Sequence, residues 1–232
     1  MKKSIGIVGG MGPLATADLF RKIVQSTKAE GDNGHIRVFM DCNPAIPDRT
    51  AAILGGGVSP VPEMQAAVRS MISCGADVLV MPCNTAHHYL PQLQAMTDTP
   101  FISILEATAA ACASRFPRRT AALLGTVGTY LTGIYDGPLR AAGVPYIIPD
   151  DAQRETLMQV IYAVKAGADM APLKADLEGL LNALRQQGAE YFILGCTELP
   201  VAAEALQLDG PFVDPTQELA EAAIRRCGYE VL

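Results

Sequence analysis

The sequence predicts an α/β protein of two pseudo-symmetric domains, each a parallel sheet flanked by helices, with a site in the crevice between them. Three observations predict it. Short apolar runs alternate with amphipathic stretches along the whole chain, which is the pattern of strand–helix–strand units in parallel sheets. A twelve-residue segment occurs twice. Cys74-Gly-Ala-Asp-Val-Leu-Val-Met-Pro-Cys83-Asn-Thr85 and Gln187-Gly-Ala-Glu-Tyr-Phe-Ile-Leu-Gly-Cys196-Thr-Glu198 align without a gap at an offset of 113, and the match reaches back to a helical face, Met64, Val68 and Met71 against Leu177, Leu181 and Leu184. A glycine turn also recurs at an offset of 116: Gly9 to Pro13 followed by Thr16, and Gly125 to Thr129 followed by Thr132.

The elements follow in order. Residues 4–10 are a short buried strand ending in glycines, and Pro13 suits the first turn of a helix over 15–29. Lys2-Lys3, an apolar run and Ala15-Thr16-Ala17 together have the outline of a secretory signal, but the interrupting glycines suit a strand and a turn better. A second strand spans 36–41. Residues 42–62 form a Pro- and Gly-rich loop, and a loop of that length in a compact domain is functional or mobile. A helix over 63–74 leads to a strand over 78–81 that delivers Cys83, and a helix over 85–96 follows. Strands over 101–104 and 121–124 flank a helix over 106–115. Helices follow at 131–142, 152–166 and 172–187. The strand over 191–194 delivers Cys196, and a strand at 212–213 with a helix over 216–226 closes the chain. The repeat divides these elements into 1–103 plus 209–232 for the first domain and 104–208 for the second. Sites in such sheets lie beyond the C-terminal ends of the strands, where both cysteines and both glycine turns fall.

With 18 Lys plus Arg against 24 Asp plus Glu, the chain carries a net charge of −6 and no basic run. Aromatics make up 6% and tryptophan is absent. Nucleic acid and anionic membrane surfaces are therefore not expected partners, and no stretch approaches the ~20 apolar residues of a membrane span. Six scattered cysteines without CxxC spacing argue for free thiols in a reducing cytoplasm rather than a disulfide scaffold.

Two thiols delivered to one crevice by equivalent strands suit the movement of a proton between the two faces of a carbon. A thiol has an ordinary pKa of ~8.5 and serves as acid or base when nearby donors and helix N-termini tune it. Asn84, Thr85 and Thr197 directly follow the two cysteines and supply short polar side chains for a substrate's carboxylate and ammonium. Most free cysteines are inert core fillers, and Cys42, Cys74, Cys112 and Cys227 are read that way. Two other patterns compete. Gly10-Met-Gly-Pro-Leu-Ala15 fits a dinucleotide fingerprint, with Asp41 as a ribose partner. That reading leaves the second thiol and the repeat unexplained, so a tight glycine turn is preferred. Cys83 and His87, four residues apart, with Cys196 could hold zinc, but no other paired-ligand spacing exists. Neither metal nor cofactor is expected.

At Pro82-Cys83-Asn84-Thr85 and Gly195-Cys196-Thr197-Glu198 the chain resembles the aspartate/glutamate racemase superfamily. Gly9 to Thr16, Asn43-Pro44 with Ile46 to Thr50, and Tyr162 with Val164 to Gly167 bring it closer to the aspartate racemases. The resemblance implies a cofactor-independent, often dimeric racemase with Cys83 and Cys196 as its two bases, Cys196 on the L-face and Cys83 on the D-face. It places Asn84, Thr85 and Ala86 on the substrate carboxylate, with Met11, Thr126 and Thr197 nearby. Arg49 and Lys165 are the cations for a second carboxylate, the first as a planar fork and the second as a point charge. The implied substrate is an acidic amino acid, foremost aspartate. Glutamate racemisation, another cofactor-free reaction on a small dicarboxylate, and a non-enzymatic amino-acid-binding regulator are the alternatives.

Overall fold

A computed structural model describes residues 2–232. Its eight strands form two four-stranded, wholly parallel sheets. The first takes β1 (Ile5–Gly9), β2 (Val38–Cys42), β3 (Val78–Val80) and β4 (Phe101–Ile102) in the order β2-β1-β3-β4. The second takes β5 (Ala121–Leu124), β6 (Tyr146–Ile147), β7 (Tyr191–Leu194) and β8 (Phe212–Val213) in the order β6-β5-β7-β8. The two orders are the same, so β3 and β7 hold equivalent places, as the repeated segment requires. The glycine turns are equivalent too. Thr16 Oγ1 donates to the Gly12 carbonyl at 2.9 Å and Thr132 Oγ1 to the Gly128 carbonyl at 2.6 Å.

The helices are α1 (Pro13–Ser26), α2 (Arg49–Ile53), α3 (Val61–Ser73), α4 (Leu90–Gln94), α5 (Ile104–Arg115), α6 (Val127–Thr132), α7 (Asp136–Ala141), α8 (Asp151–Ala166), α9 (Lys174–Gln186), α10 (Glu198–Ala205) and α11 (Pro215–Arg226). Side chains alternate across each strand. Ile5, Ile7, Val78, Val80, Ala121, Leu123, Tyr191 and Ile193 face one central core shared by both sheets, which α1, α5 and α11 fill with Leu19, Ile23, Ile104, Leu219 and Ile224. The intervening residues face outward. Val8, Leu79 and Met81 pack under Met64, Val68 and Met71 of α3. Ala122, Leu124, Phe192 and Leu194 pack under Leu157 and Ile161 of α8 and Leu177, Leu181 and Leu184 of α9. The two helical faces matched in the sequence thus cover equivalent sheet faces.

The structure departs from expectation in several places. The strand at 212–213 lies beside β7, with Ile193 opposite Val213, so 209–214 joins the second sheet rather than the first. α11, packed on α1 and α5, and the residues after it, which bond Lys3, Ser26 and Lys28 and bridge Thr27 through Val231, return to the first unit. The 42–62 loop contains α2, because Asp48 caps it by accepting from the Ala51 N–H at 2.8 Å. The expected 85–96 helix is a 3₁₀ turn over Thr85–Tyr89 followed by α4, which opens on Pro91. The expected 131–142 helix is two helices, α6 and α7. Thr126 caps the first and Gly133, with a φ of 58°, ends it in the left-handed region. α10 begins right after Cys196–Thr197 and β6 fills the sheet edge, neither of which the sequence pattern indicated. No helix among the described residues is long and apolar enough to cross a membrane.

Candidate active site

Every candidate residue lies at the C-terminal end of a strand or on an element facing that end. A crevice of about 530 Å³ opens there, lined from the first unit by Gly12, Leu14, Ile46, Asp48 and Arg49 and from the second by Lys165 and Glu198. Arg49 is 7% exposed and anchored by backbone. Its guanidinium donates to the carbonyls of Ile46 (3.2 Å), Pro47 (2.9 Å) and Met11 (3.3 Å), and Nε is left without a partner. Arg49 thereby holds the β1–α1 turn and the 43–48 loop together. Lys165, in the last turn of α8, reaches across the crevice to Asp48 at 3.7 Å. Burial works against its charge, but Glu198, Cys196, Cys83 and Asp48 outweigh burial and raise its pKa. Both thiols are therefore within electrostatic reach of one ammonium.

The surroundings of the two cysteines differ. Both are 7% exposed. Cys196 Sγ donates to Glu198 Oε2 at 2.9 Å, and Thr197 Oγ1 donates to the same oxygen at 3.3 Å. Burial first, and the adjacent Glu198 charge second, push the Cys196 thiol well above its ordinary pKa, so its resting form is the protonated thiol. Cys83 is flanked by neutral groups. His87 Nδ1 donates to the Cys83 carbonyl at 2.9 Å, while His87 Nε2 accepts from the Ile104 N–H at 3.2 Å. Burial holds this imidazole down to about 4, against the opposing Cys83 bond, so the ring is neutral with its tautomer set by the two partners. Both ring nitrogens are engaged, which removes His87 from the zinc alternative. No group of three His, Cys, Asp or Glu side chains among the described residues could hold a metal.

Three hydroxyls join the two units beside Cys83. Thr85 Oγ1 lies 2.9 Å from Thr126 Oγ1 and 3.3 Å from Thr129 Oγ1, and the latter two are 3.1 Å apart. Asn84, 2% exposed, accepts from Tyr135 OH at 2.7 Å and keeps an unpartnered Nδ2. The structure therefore brings Asn84, Thr85 and Thr126 together beside one thiol and Thr197 beside the other. Met11 and Ala86 share the outer core of the first sheet with Cys83, but their side chains are apolar and leave only backbone groups for a ligand. Sequence reasoning missed Asp48, Thr129 and Tyr135, and it marked Glu198 only as a difference in polarity between the two half-sites, without a role. Glu198 stood inside the repeated segment where the first copy has Thr85, and Asp48 stood one residue before Arg49 in an N-cap position. Thr129 ends the second glycine turn. Tyr135 carried no local signal.

Residues 8–223 match the Asp/Glu/Hydantoin racemase family. The chain belongs to that family. Among similar proteins, the broad specificity amino-acid racemase RacX of Bacillus subtilis is 27% identical over 95% of this chain and 96% of its own length. The Picrophilus torridus aspartate racemase superposes with a TM-score of 0.86 at 31% identity, covering 99% of this chain and 96% of that one. A glutamate racemase from Francisella tularensis, in complex with D-glutamate, shares the racemase fold at a TM-score of 0.69 and 15% identity, covering 97% of this chain and 81% of that one.

Proposed function

We propose that the protein interconverts the L- and D-forms of an acidic amino acid, foremost aspartate, by a two-base mechanism in which Cys83 and Cys196 serve opposite faces of the α-carbon. The observation that carries the proposal is the equivalence of the two thiols. They follow β3 and β7, which hold the same place in two sheets of the same order, and Lys165 is within electrostatic reach of both. In the L to D direction Glu198 takes the Cys196 proton, and the thiolate removes the α-proton of the L-substrate. The carbanion is stabilised through its own carboxylate, held by Asn84 and the Thr85–Thr126–Thr129 hydroxyls. The Cys83 thiol then delivers its proton to the opposite face. One L to D turnover ends with Cys196 again a thiol, Cys83 a thiolate and the proton on Glu198; the D to L direction runs the same steps backwards from that state, and passage of the Glu198 proton to Cys83 through solvent resets the site for another L-substrate. Arg49 and Lys165 take the far carboxylate. A homodimer in a reducing compartment completes the proposal, on the family resemblance and the six free cysteines.

The test is deuterium incorporation at the α-carbon in heavy water across a panel of amino acids, followed by optical rotation. Cys83→Ala and Cys196→Ala should each abolish racemisation. Full racemisation by either variant sinks the two-base mechanism, and tight binding without exchange favours an amino-acid-binding regulator. A second reading, a wider substrate range, draws on the crevice itself. Its two cations are matched by Asp48 and Glu198, and its rim is apolar at Leu14, Ile46 and Val164. The named breadth of the Bacillus relative points the same way. Equal exchange rates for aspartate, glutamate and a monocarboxylic amino acid would select that reading.

A further inference from the structure

Tyr135 precedes α7 and is fully buried in the central core, where the buried Thr108 hydroxyl is a second polar neighbour of its phenol. Its hydroxyl crosses from the second unit to the first and donates to Asn84 Oδ1, one residue beyond Cys83. The ring also lies near the residue before Cys196: a Cβ built at Gly195 would reach ordinary contact with Tyr135 Cε2 at 3.5 Å, while the Leu124 carbonyl oxygen at 2.8 Å and Leu123 Cδ1 at 2.9 Å are what exclude a side chain there. One phenol therefore bonds the residue after Cys83 and lies near the residue before Cys196.

The consequence concerns the Asn84 amide. An amide is planar, so fixing Oδ1 on the phenol fixes the direction of Nδ2 as well. That NH₂ group is buried and has no partner in the protein. A buried donor without an acceptor is unfavourable, and a ligand's anionic oxygen satisfies it. We infer that Tyr135 is a positioning residue for the racemisation, one that locks the Asn84 amide so that its NH₂ is presented to the substrate's α-carboxylate. The inference rests on the function proposed above. Tyr135 itself touches no substrate; it acts through Asn84.

The decisive variant is Tyr135→Phe, which keeps the ring against Gly195 and removes only the donor. KM for both enantiomers should rise about tenfold, the size expected for loss of one buried hydrogen bond that orients a charge-binding donor, while kcat stays within about twofold. A merely structural role would lower the melting temperature and the active fraction, hence kcat, and leave KM in place. In an Asn84→Ala background the same change should add nothing to KM, since the two residues act as one unit. Asn84→Asp supplies a second measurement should Tyr135→Phe fold poorly. It keeps an acceptor for the phenol and replaces the amide donor by a carboxylate oxygen, so KM should rise at least tenfold with little change in melting temperature. KM within twofold of wild type in Tyr135→Phe or in Asn84→Asp, or additive effects in the double variant, overturns the inference while wild-type racemisation stands. A wild type that exchanges no amino acid overturns the functional reading and this inference with it.

Discussion

Lowering the pH from 6.5 to 4 should destabilise the protein through a single imidazole, His87. The ring is 5% exposed, and burial holds its folded-state pKa down to about 4 against an ordinary 6.5. Between those values the unfolded chain binds a proton that the folded chain refuses. Stability contributed by the neutral ring is thus fully present above pH 6.5 and is lost as the pH falls towards 4, where the folded form begins to take the proton as well. A fall from 6.5 to about 4 is worth ~3.5 kcal/mol at ~1.4 kcal/mol per pH unit, of which ~3 kcal/mol is lost by pH 4, where the folded ring is itself half protonated, a large share of a typical domain's stability. Protonation also removes the lone pair that accepts from the Ile104 N–H, so the strain falls on the join between the Cys83 turn and α5. The assay is urea unfolding of wild type and His87→Gln from pH 7.5 to pH 4, with the difference between the curves cancelling the other titrating groups. Wild type starts the more stable, and its advantage should shrink by ~3 kcal/mol over the range. An advantage constant to within ~1 kcal/mol, or an NMR titration of the His87 ring near 6.5, would refute the reasoning.

Three further outcomes are expected. Glu198→Gln removes the charge that, after burial, holds the Cys196 thiol up, so the pH midpoint for alkylation of Cys196 should move down, and L to D turnover should fall at least about tenfold with the lost proton acceptor; an unmoved or raised midpoint contradicts the assignment. Arg49→Ala should lower kcat/KM for aspartate about 10- to 100-fold more than for alanine, the range of one to two charge-assisted hydrogen bonds, and equal losses would leave Arg49 as only the brace of its loop. Lys22→Met strands Asp18, 7% exposed and 2.5 Å from the ammonium, together with Asp214 at the start of α11. Urea unfolding should show a loss of about 3 kcal/mol, and a loss under 1 kcal/mol would mean the α1–α11 join does not depend on this network.

What the sequence made legible was whatever the duplication or a strand period recorded. The continuous apolar run from Ala121 to Leu124 encodes a strand buried on both faces, and the repeat that places Cys83 and Cys196 encodes two equivalent strand ends. Partners that meet only across the two units were not legible. The bond from Tyr135 to Asn84 spans 51 residues and the Lys165–Asp48 pair crosses the crevice, so no local pattern contains either. The placement of β8 failed for a related reason. Its two residues carry no register of their own, and pairing with β7 is decided by where α10 ends. Helix breaks were misjudged where a single residue decided them, Pro91 in the first turn of α4 and Gly133 after α6, because apolar periodicity continues through both.

The two halves of the candidate site are alike in backbone and unlike in charge, and the second fact follows from what a reversible proton transfer needs. If both thiols had the same surroundings, they would favour the same protonation state, and a two-base reaction requires opposite ones at every turn. Around Cys196 the partner is a carboxylate that accepts the thiol proton; around Cys83 the partners are a neutral imidazole that holds the carbonyl and an amide that the Tyr135 phenol holds in turn. Lys165, drawn to Glu198, Cys196, Cys83 and Asp48 together, couples the two surroundings. A negative charge arriving on either sulfur is felt by the same ammonium. On this account the duplicated fold sets the positions of the two bases, and Glu198, at the repeat position where the first copy has Thr85, breaks their equivalence. Replacing Glu198 by threonine should therefore move the alkylation profile of Cys196 to lower pH, and a profile that stays in place would put the origin of the asymmetry elsewhere.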